Sequence, residues 1–233
     1  VLDPRGAPRF PVGSGPRIAH ALALAFLQPV VPVSVLVGLG SWLFDATGAL
    51  RPPGLVELAA VALVPLVPNL LLLGGGLVGL GRVSPRDLGW HRPAKPLYAM
   101  VGPLAAIVAY LAVYAAVIAS LADHPSAVWL TIRSYSVPSR ALLLLLGLHV
   151  ALYEETVFRG YLQPALVRRL GLAGGVAVTA LLFAAWHPPH FHLAGFLVRL
   201  GLGLATGILR GEDRSLMAAF LAHALIWPIV GLA

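Results

Sequence analysis

The sequence contains no cysteine, which removes disulfides, thiolate metal ligands and a cysteine nucleophile from consideration. Charge is nearly as scarce. Only 11% of the 233 residues are Asp, Glu, Lys or Arg, Lys95 is the single lysine among sixteen basic residues, and the glutamates are four: Glu57, Glu154, Glu155 and Glu212. Long polar segments are missing too. The longest are "GRVSPRDLGWHRPAKP" (81–96) and "DHPSAVWLTIRSYSVPSR" (123–140), both loop-sized, so no soluble domain is visible, and neither is an internal repeat. What fills the chain is apolar: 59% hydrophobic residues and a mean hydropathy of +0.88, outside the range of ordinary soluble domains.

Crossing a bilayer takes about 20 mostly apolar residues, and stretches of that length recur. The expectation is one all-α membrane domain over 1–233, a polytopic transmembrane helix bundle of about seven spans: 18–44, 55–80, 97–122, 141–163, 173–187, 193–210 and 215–232. The first is too long for a signal-peptide core and is read as a retained span. A net charge of +7 would suggest nucleic acid in a soluble protein, but here positive-inside placement explains it, and no nucleic-acid partner is expected. With the N-terminus inside, eleven basic residues fall in cytoplasmic segments (3, 4, 2 and 2 in turn) and three, Arg51, Arg133 and Arg140, fall outside. The C-terminus is then outside. Fifteen of the sixteen basic residues are arginine, and with the Ala, Gly, Leu and Pro load this points to a GC-rich bacterial genome and a bacterial cytoplasmic membrane. Membrane lipids are the expected surroundings, with Trp90, Trp129 and Tyr135 as interfacial anchors.

Against this background "LYEETVFRGYLQ" (152–163) stands out, because an ionisable residue at the bilayer centre costs about 2.5–3.5 kcal/mol on insertion scales. Glu155 and Arg159 are i, i+4 in the order that best forms an ion pair. Glu154 points about 100° away and lacks that partner. One carboxylate reads as structural and its neighbour as free to act.

Spans four and five form a hairpin turning near Gly171. Glu155 lies 16 residues before that glycine and His187 lies 16 after it, so both sit about 20 Å or more beyond the turn if both arms are helical. Pro164 could break the first arm. His223, nine residues beyond Arg214, would lie about 14 Å in. These side chains can converge on one buried polar site. A glutamate beside a histidine suits a general base for water. Two histidines and a carboxylate (Glu154, His187, His223) could hold one divalent metal such as zinc with an open position, or a histidine could stabilise an oxyanion with no metal present. A cluster that only fixes helix packing, or a transport site, uses the same residue types.

Glu154-Glu155-x-x-x-Arg159, then Phe183-x-x-x-His187, then His223 in the last span, resembles the CAAX protease and bacteriocin-processing (Abi) family of intramembrane endopeptidases. The motifs span 150–227, and "DLGW" (87–90) is similar to a weaker family feature. The resemblance implies a membrane bundle with an internal site open to the cytoplasm and a peptide or protein substrate, lipid-modified in eukaryotic relatives. It implies roles as well: Glu154 activates water with His187, Glu155 and Arg159 hold the site together, and His223 helps stabilise the oxyanion. Metal use in the family is disputed. One departure stands out, since the third motif usually ends in Asn or Asp four residues after its histidine and here Trp227 is found. Indole donates one hydrogen bond and accepts none.

Two other functions compete with the peptidase. Trp227 favours a catalytically silent relative acting as a membrane binding or bacteriocin-immunity protein. Buried charge alone favours a small-solute transporter, which would more readily show paired broken helices in repeated halves. His190 and His192 are read as loop residues, and His149 as a satisfied helix-packing group.

Overall fold

The computed structural model describes residues 11–28, 55–121, 136–187 and 192–230. The second half of the first expected span, Arg51, Arg133, Trp129, Tyr135 and His190 lie outside the described residues. Every described element is helical. In chain order they are α1 (15–28), α2 (Leu55–Leu63), α3 (Leu66–Leu71, continued as a π-helix over Leu72–Leu80), α4 (Pro96–Leu121), α5 (Val137–Glu154, continued as a π-helix over Glu155–Leu162), α6 (Gln163–Trp186), α7 (His192–Asp213) and α8 (Met217–Val230).

Pro96–Val117, Val137–Trp186 and Leu193–Asp213 are long and apolar enough to cross a membrane, with Leu66–Leu80 and Met217–Ile229 as shorter apolar helices. The 50-residue run Val137–Trp186 folds back on itself. Gly171 takes φ 73, ψ 173, outside helical space, which glycine adopts without a Cβ penalty. Beyond the turn the arms touch: a Cβ on Gly175 would lie 2.5 Å from the Val167 backbone nitrogen. This is the hairpin expected from the sequence, with its arms lengthened to 137–170 and 172–186. The helix starts at Ser136, whose hydroxyl accepts from the Ser139 N–H at 3.3 Å and satisfies one of the orphan donors of a first turn.

Outward faces are apolar. On α4, Leu97, Met100, Leu104 and Val108 are exposed at spacings of three and four that form one stripe along the helix, a surface suited to lipid. Inward, small residues set the approach distances. Gly203, Gly207 and Gly211 form a stripe on α7 that packs on the second arm of the hairpin, where a Cβ would meet Ala180 at 3.0 Å, Val176 at 3.0 Å and Leu172 at 2.8 Å. Membrane helices use small residues every fourth position in this way. On α5, a Cβ at Gly147 would come within 2.5 Å of the Ala224 carbonyl, so α5 and α8 meet almost backbone to backbone. That contact carries His223 toward the paired glutamates.

Candidate active site

The glutamates sit where α5 changes pitch. Residues 155–162, all buried, run as a π-helix, a conformation common at functional sites. The α segment that follows has Pro164 in its first turn, where a missing N–H costs least. Pro164 therefore does not break the arm, and the depth count from Gly171 holds: Phe158 on the first arm meets Phe183 on the second, ring centroids 5.3 Å apart and edge to face.

Five sequence-singled residues gather around Phe183. Glu155 Oε1 lies 3.2 Å from Arg159 Nη1 and accepts a 2.8 Å hydrogen bond from His223 Nδ1. Both Glu155 and Arg159 are fully buried. The Arg159 pairing is ionic by distance but not aligned as a hydrogen bond, since Nη1 has no hydrogen-bond partner. Its Nη2 donates to the Gly203 carbonyl at 3.3 Å, and the guanidinium stands over the Phe183 ring at 4.2 Å. One turn on, Gln163 Nε2 donates to the Gly207 carbonyl at 2.9 Å. The glycine stripe of α7 thus presents two carbonyls to two side chains of α5 and α6.

Glu154 differs from its neighbour. Its Oε2 is buried with no hydrogen-bond partner and faces His223 Nε2 across 3.8 Å, too far for a direct bond. With Nδ1 of His223 donating to Glu155, Nε2 is the ring nitrogen left facing Glu154. His187 closes the second arm. Its Nδ1 sits 2.7 Å from the Phe183 carbonyl, which can only accept, so Nδ1 is protonated and Nε2 is the atom left for other partners. The His187 and His223 rings both contact Phe183 edge-on, at 4.8 and 5.9 Å between centroids. Among the described residues no hydrogen bond or ion pair joins Glu154 to His187; the histidine that Glu154 faces is His223.

The possible metal trio Glu154, His187 and His223 fares less well. Among the described residues, no three His, Cys, Asp or Glu side chains are grouped closely enough to hold an ion. The donor set does not fit a three-ligand metal centre, so no chemical step is routed through one.

Several supporting residues were not singled out from sequence. Tyr153 donates to the Leu24 carbonyl at 2.6 Å, and Trp186 Nε1 donates to Ala25 O at 2.6 Å, tying α1 to both arms of the hairpin. Arg17, almost fully buried, donates to the Tyr161 carbonyl at 3.2 Å and lies 4.1 Å over its ring. The "DLGW" segment docks on the glutamate helix. The Leu88 carbonyl would be 2.7 Å from a Cβ at Gly160, so only glycine fits there. Trp90, expected as an interfacial anchor, is half-buried, gives its N–H to Thr156 Oγ1 at 3.0 Å and meets Phe220 edge to face. The signal for this docking was the quoted tetrapeptide together with the glycine inside "FRGY". His149 is a packing group, as read from the sequence: Nε2 donates to Ala62 O at 2.6 Å, and Nδ1 accepts from Asn69 at 3.2 Å. Trp227 packs over Gly147 and beside Leu146 and Val150.

Residues 136–227 match the family model of the Rce1-like type II CAAX prenyl endopeptidases, and this part of the chain carries that domain. The match begins at Ser136, the residue that caps α5, and takes in all five gathered residues. No curated protein and no solved structure matches the sequence. With its long apolar helices, the chain is an integral membrane protein.

Proposed function

We propose that this membrane protein, with its Rce1-like domain over 136–227, is an intramembrane endopeptidase that hydrolyses a peptide bond with a water held between Glu154 and His223. The observation that carries the reading is the buried Glu154 Oε2, which has no hydrogen-bond partner and faces His223 Nε2 across 3.8 Å. A water about 2.8 Å from each atom spans that gap.

Glu154 acts as the base. As the water oxygen attacks the peptide carbonyl, its proton passes to the Glu154 carboxylate. Glu154 then returns that proton to the amine nitrogen as the carbon–nitrogen bond breaks, leaving a new carboxylate and a new amine. Glu155, between Arg159 and His223, fixes the His223 tautomer so that Nε2 faces the water, much as a buried carboxylate orients the histidine of other hydrolases. His187, whose Nδ1 donates to the Phe183 carbonyl, leaves Nε2 to accept from a donor on the substrate and so helps to position the scissile peptide. The substrate is a peptide or protein segment that reaches the site within the membrane.

Glu154→Gln tests the reading. It should abolish cleavage of a reporter peptide in membranes while leaving the protein level unchanged. Trp227 supports a second reading, a catalytically silent relative, because its ring packs on Gly147 where the family usually has an Asn or Asp. A Glu154→Gln protein that complements as well as its parent would favour that alternative. Solute flux in proteoliposomes, lost on the same change, would favour a transporter.

A further inference from the structure

Away from the glutamates, at the end of the bundle where the charged loops lie, a cleft of about 510 Å³ is lined by Arg86, Arg168, Arg210 and Arg214. The four arginines come from three places in the chain: the 82–95 loop, the end of the first hairpin arm, and the last turn of α7 with the residue just after it. Positive-inside placement makes this the cytoplasmic surface.

Among the described residues none of the four guanidiniums forms an ion pair with a carboxylate. Of the nearby acids, Glu212 pairs with Lys95 at 3.7 Å; Asp213 accepts from the Lys95 backbone N–H at 2.9 Å and its charge offsets part of that of Arg210; and Asp87, which also lines the cleft, accepts from Ser84 Oγ at 2.6 Å, so the four arginines still outnumber the acids around them. Arg210 is held in place. It donates from Nε to the Arg159 carbonyl at 3.3 Å and from Nη1 to the Arg214 carbonyl, and its fork lies against Gly89, where a Cβ would come within 3.0 Å of Cζ. Arg214 has φ 59, a left-handed position just past a helix that glycine usually fills. A long cationic side chain is kept there and turned into the cleft.

Gln163 supplies a second kind of evidence. It lines the cleft, is 2% exposed, and its Oε1 has no partner while its Nε2 is bonded to Gly207. A buried amide oxygen without a donor points to a ligand that brings one. Val167 and Leu172 add an apolar wall, which a free inorganic ion would not use.

We propose that this cleft binds the phosphate group of an anionic lipid headgroup that also carries a hydroxyl, the arginines holding the phosphate, Gln163 accepting from the hydroxyl, and Val167 and Leu172 covering the glycerol backbone. Forked guanidinium contacts to phosphate oxygens are the strong form of such recognition.

The test uses the full chain in phosphatidylcholine nanodiscs, with phosphatidylglycerol added in steps, read by native mass spectrometry and thermal unfolding. The expected result is saturable retention of one phosphatidylglycerol with a rise in unfolding temperature. Arg168→Gln and Arg214→Gly should each weaken retention about tenfold, as loss of one charged hydrogen bond implies. Because Arg214→Gly relieves a left-handed backbone, that variant should be at least as stable as the parent in phosphatidylcholine alone, which separates lost binding from lost folding. Inorganic phosphate at millimolar concentration should not displace the lipid; if it does, the ligand is a free anion and the lipid assignment falls. Retention that never saturates, or that is equal in parent and variants, marks ordinary surface attraction and overturns the site.

Discussion

Arg159→Met removes the cation that the buried site is built around. The guanidinium is fully buried, 3.2 Å from Glu155 Oε1, bonded to Gly203 O and stacked over Phe183. Methionine fills much of its volume and leaves Glu155 with His223 alone. Removing one member of a buried pair costs about 3–5 kcal/mol, because the remaining charge is left uncompensated. For a chain of this size each kcal/mol lowers the unfolding temperature by about 2–4 °C, so a loss of roughly 6–20 °C is expected. Adding Glu155→Gln to Arg159→Met removes the orphaned charge and should recover about 0.5–3 kcal/mol, the coupling typical of residues in one network. Thermal unfolding of purified protein in detergent, followed by tryptophan fluorescence, gives all four corners of the cycle. If Arg159→Met unfolds within about 2 °C of the parent, or if the two changes simply add, the pair is not the buried anchor described above.

Other substitutions probe the framework and the metal question. Gly160→Ala places a methyl 2.7 Å from the Leu88 carbonyl, a backbone atom that cannot swing aside, and should cost about 1–3 kcal/mol in unfolding and reduce cleavage. Gly171→Ala meets nothing within 4 Å, so its cost of about 1–3 kcal/mol should come from the backbone conformation alone, φ 73 with ψ 173; a neutral result would show that the hairpin turns elsewhere. Elemental analysis of the purified protein beside His187→Ala and His223→Ala should give the same metal content in all three, and a stoichiometric ion lost from both variants would establish a ligated centre.

Depth and pairing along a helix were legible in the sequence; rotation between helices was not. The i, i+4 spacing of Glu155 and Arg159 foretold their contact, and equal distances from Gly171 put Glu155 and His187 at one depth, a register with which the contact of Phe158 and Phe183 agrees. The partner of Glu154 was harder to read. Family resemblance implied that Glu154 acts with His187, whereas the atom facing it is Nε2 of His223. That facing depends on how closely α8 approaches α5 over Gly147 and on the widened pitch of 155–162, neither of which leaves a mark in hydrophobic periodicity. The docking of "DLGW" was similarly hidden, because it rests on a missing Cβ at Gly160 seventy residues further on. Trp90 read as an anchor since tryptophan favours interfaces, but its N–H found Thr156 first.

The central claim concerns one water, and a cryo-EM map of the protein in a lipid nanodisc, sharp enough to show ordered waters, would test it most directly. The account predicts a water within about 3 Å of both Glu154 Oε2 and His223 Nε2, lost in Glu154→Gln together with cleavage. A Glu154 side chain bonded directly to another protein group, or a His223 ring turned so that Nε2 rather than Nδ1 meets Glu155, would contradict it.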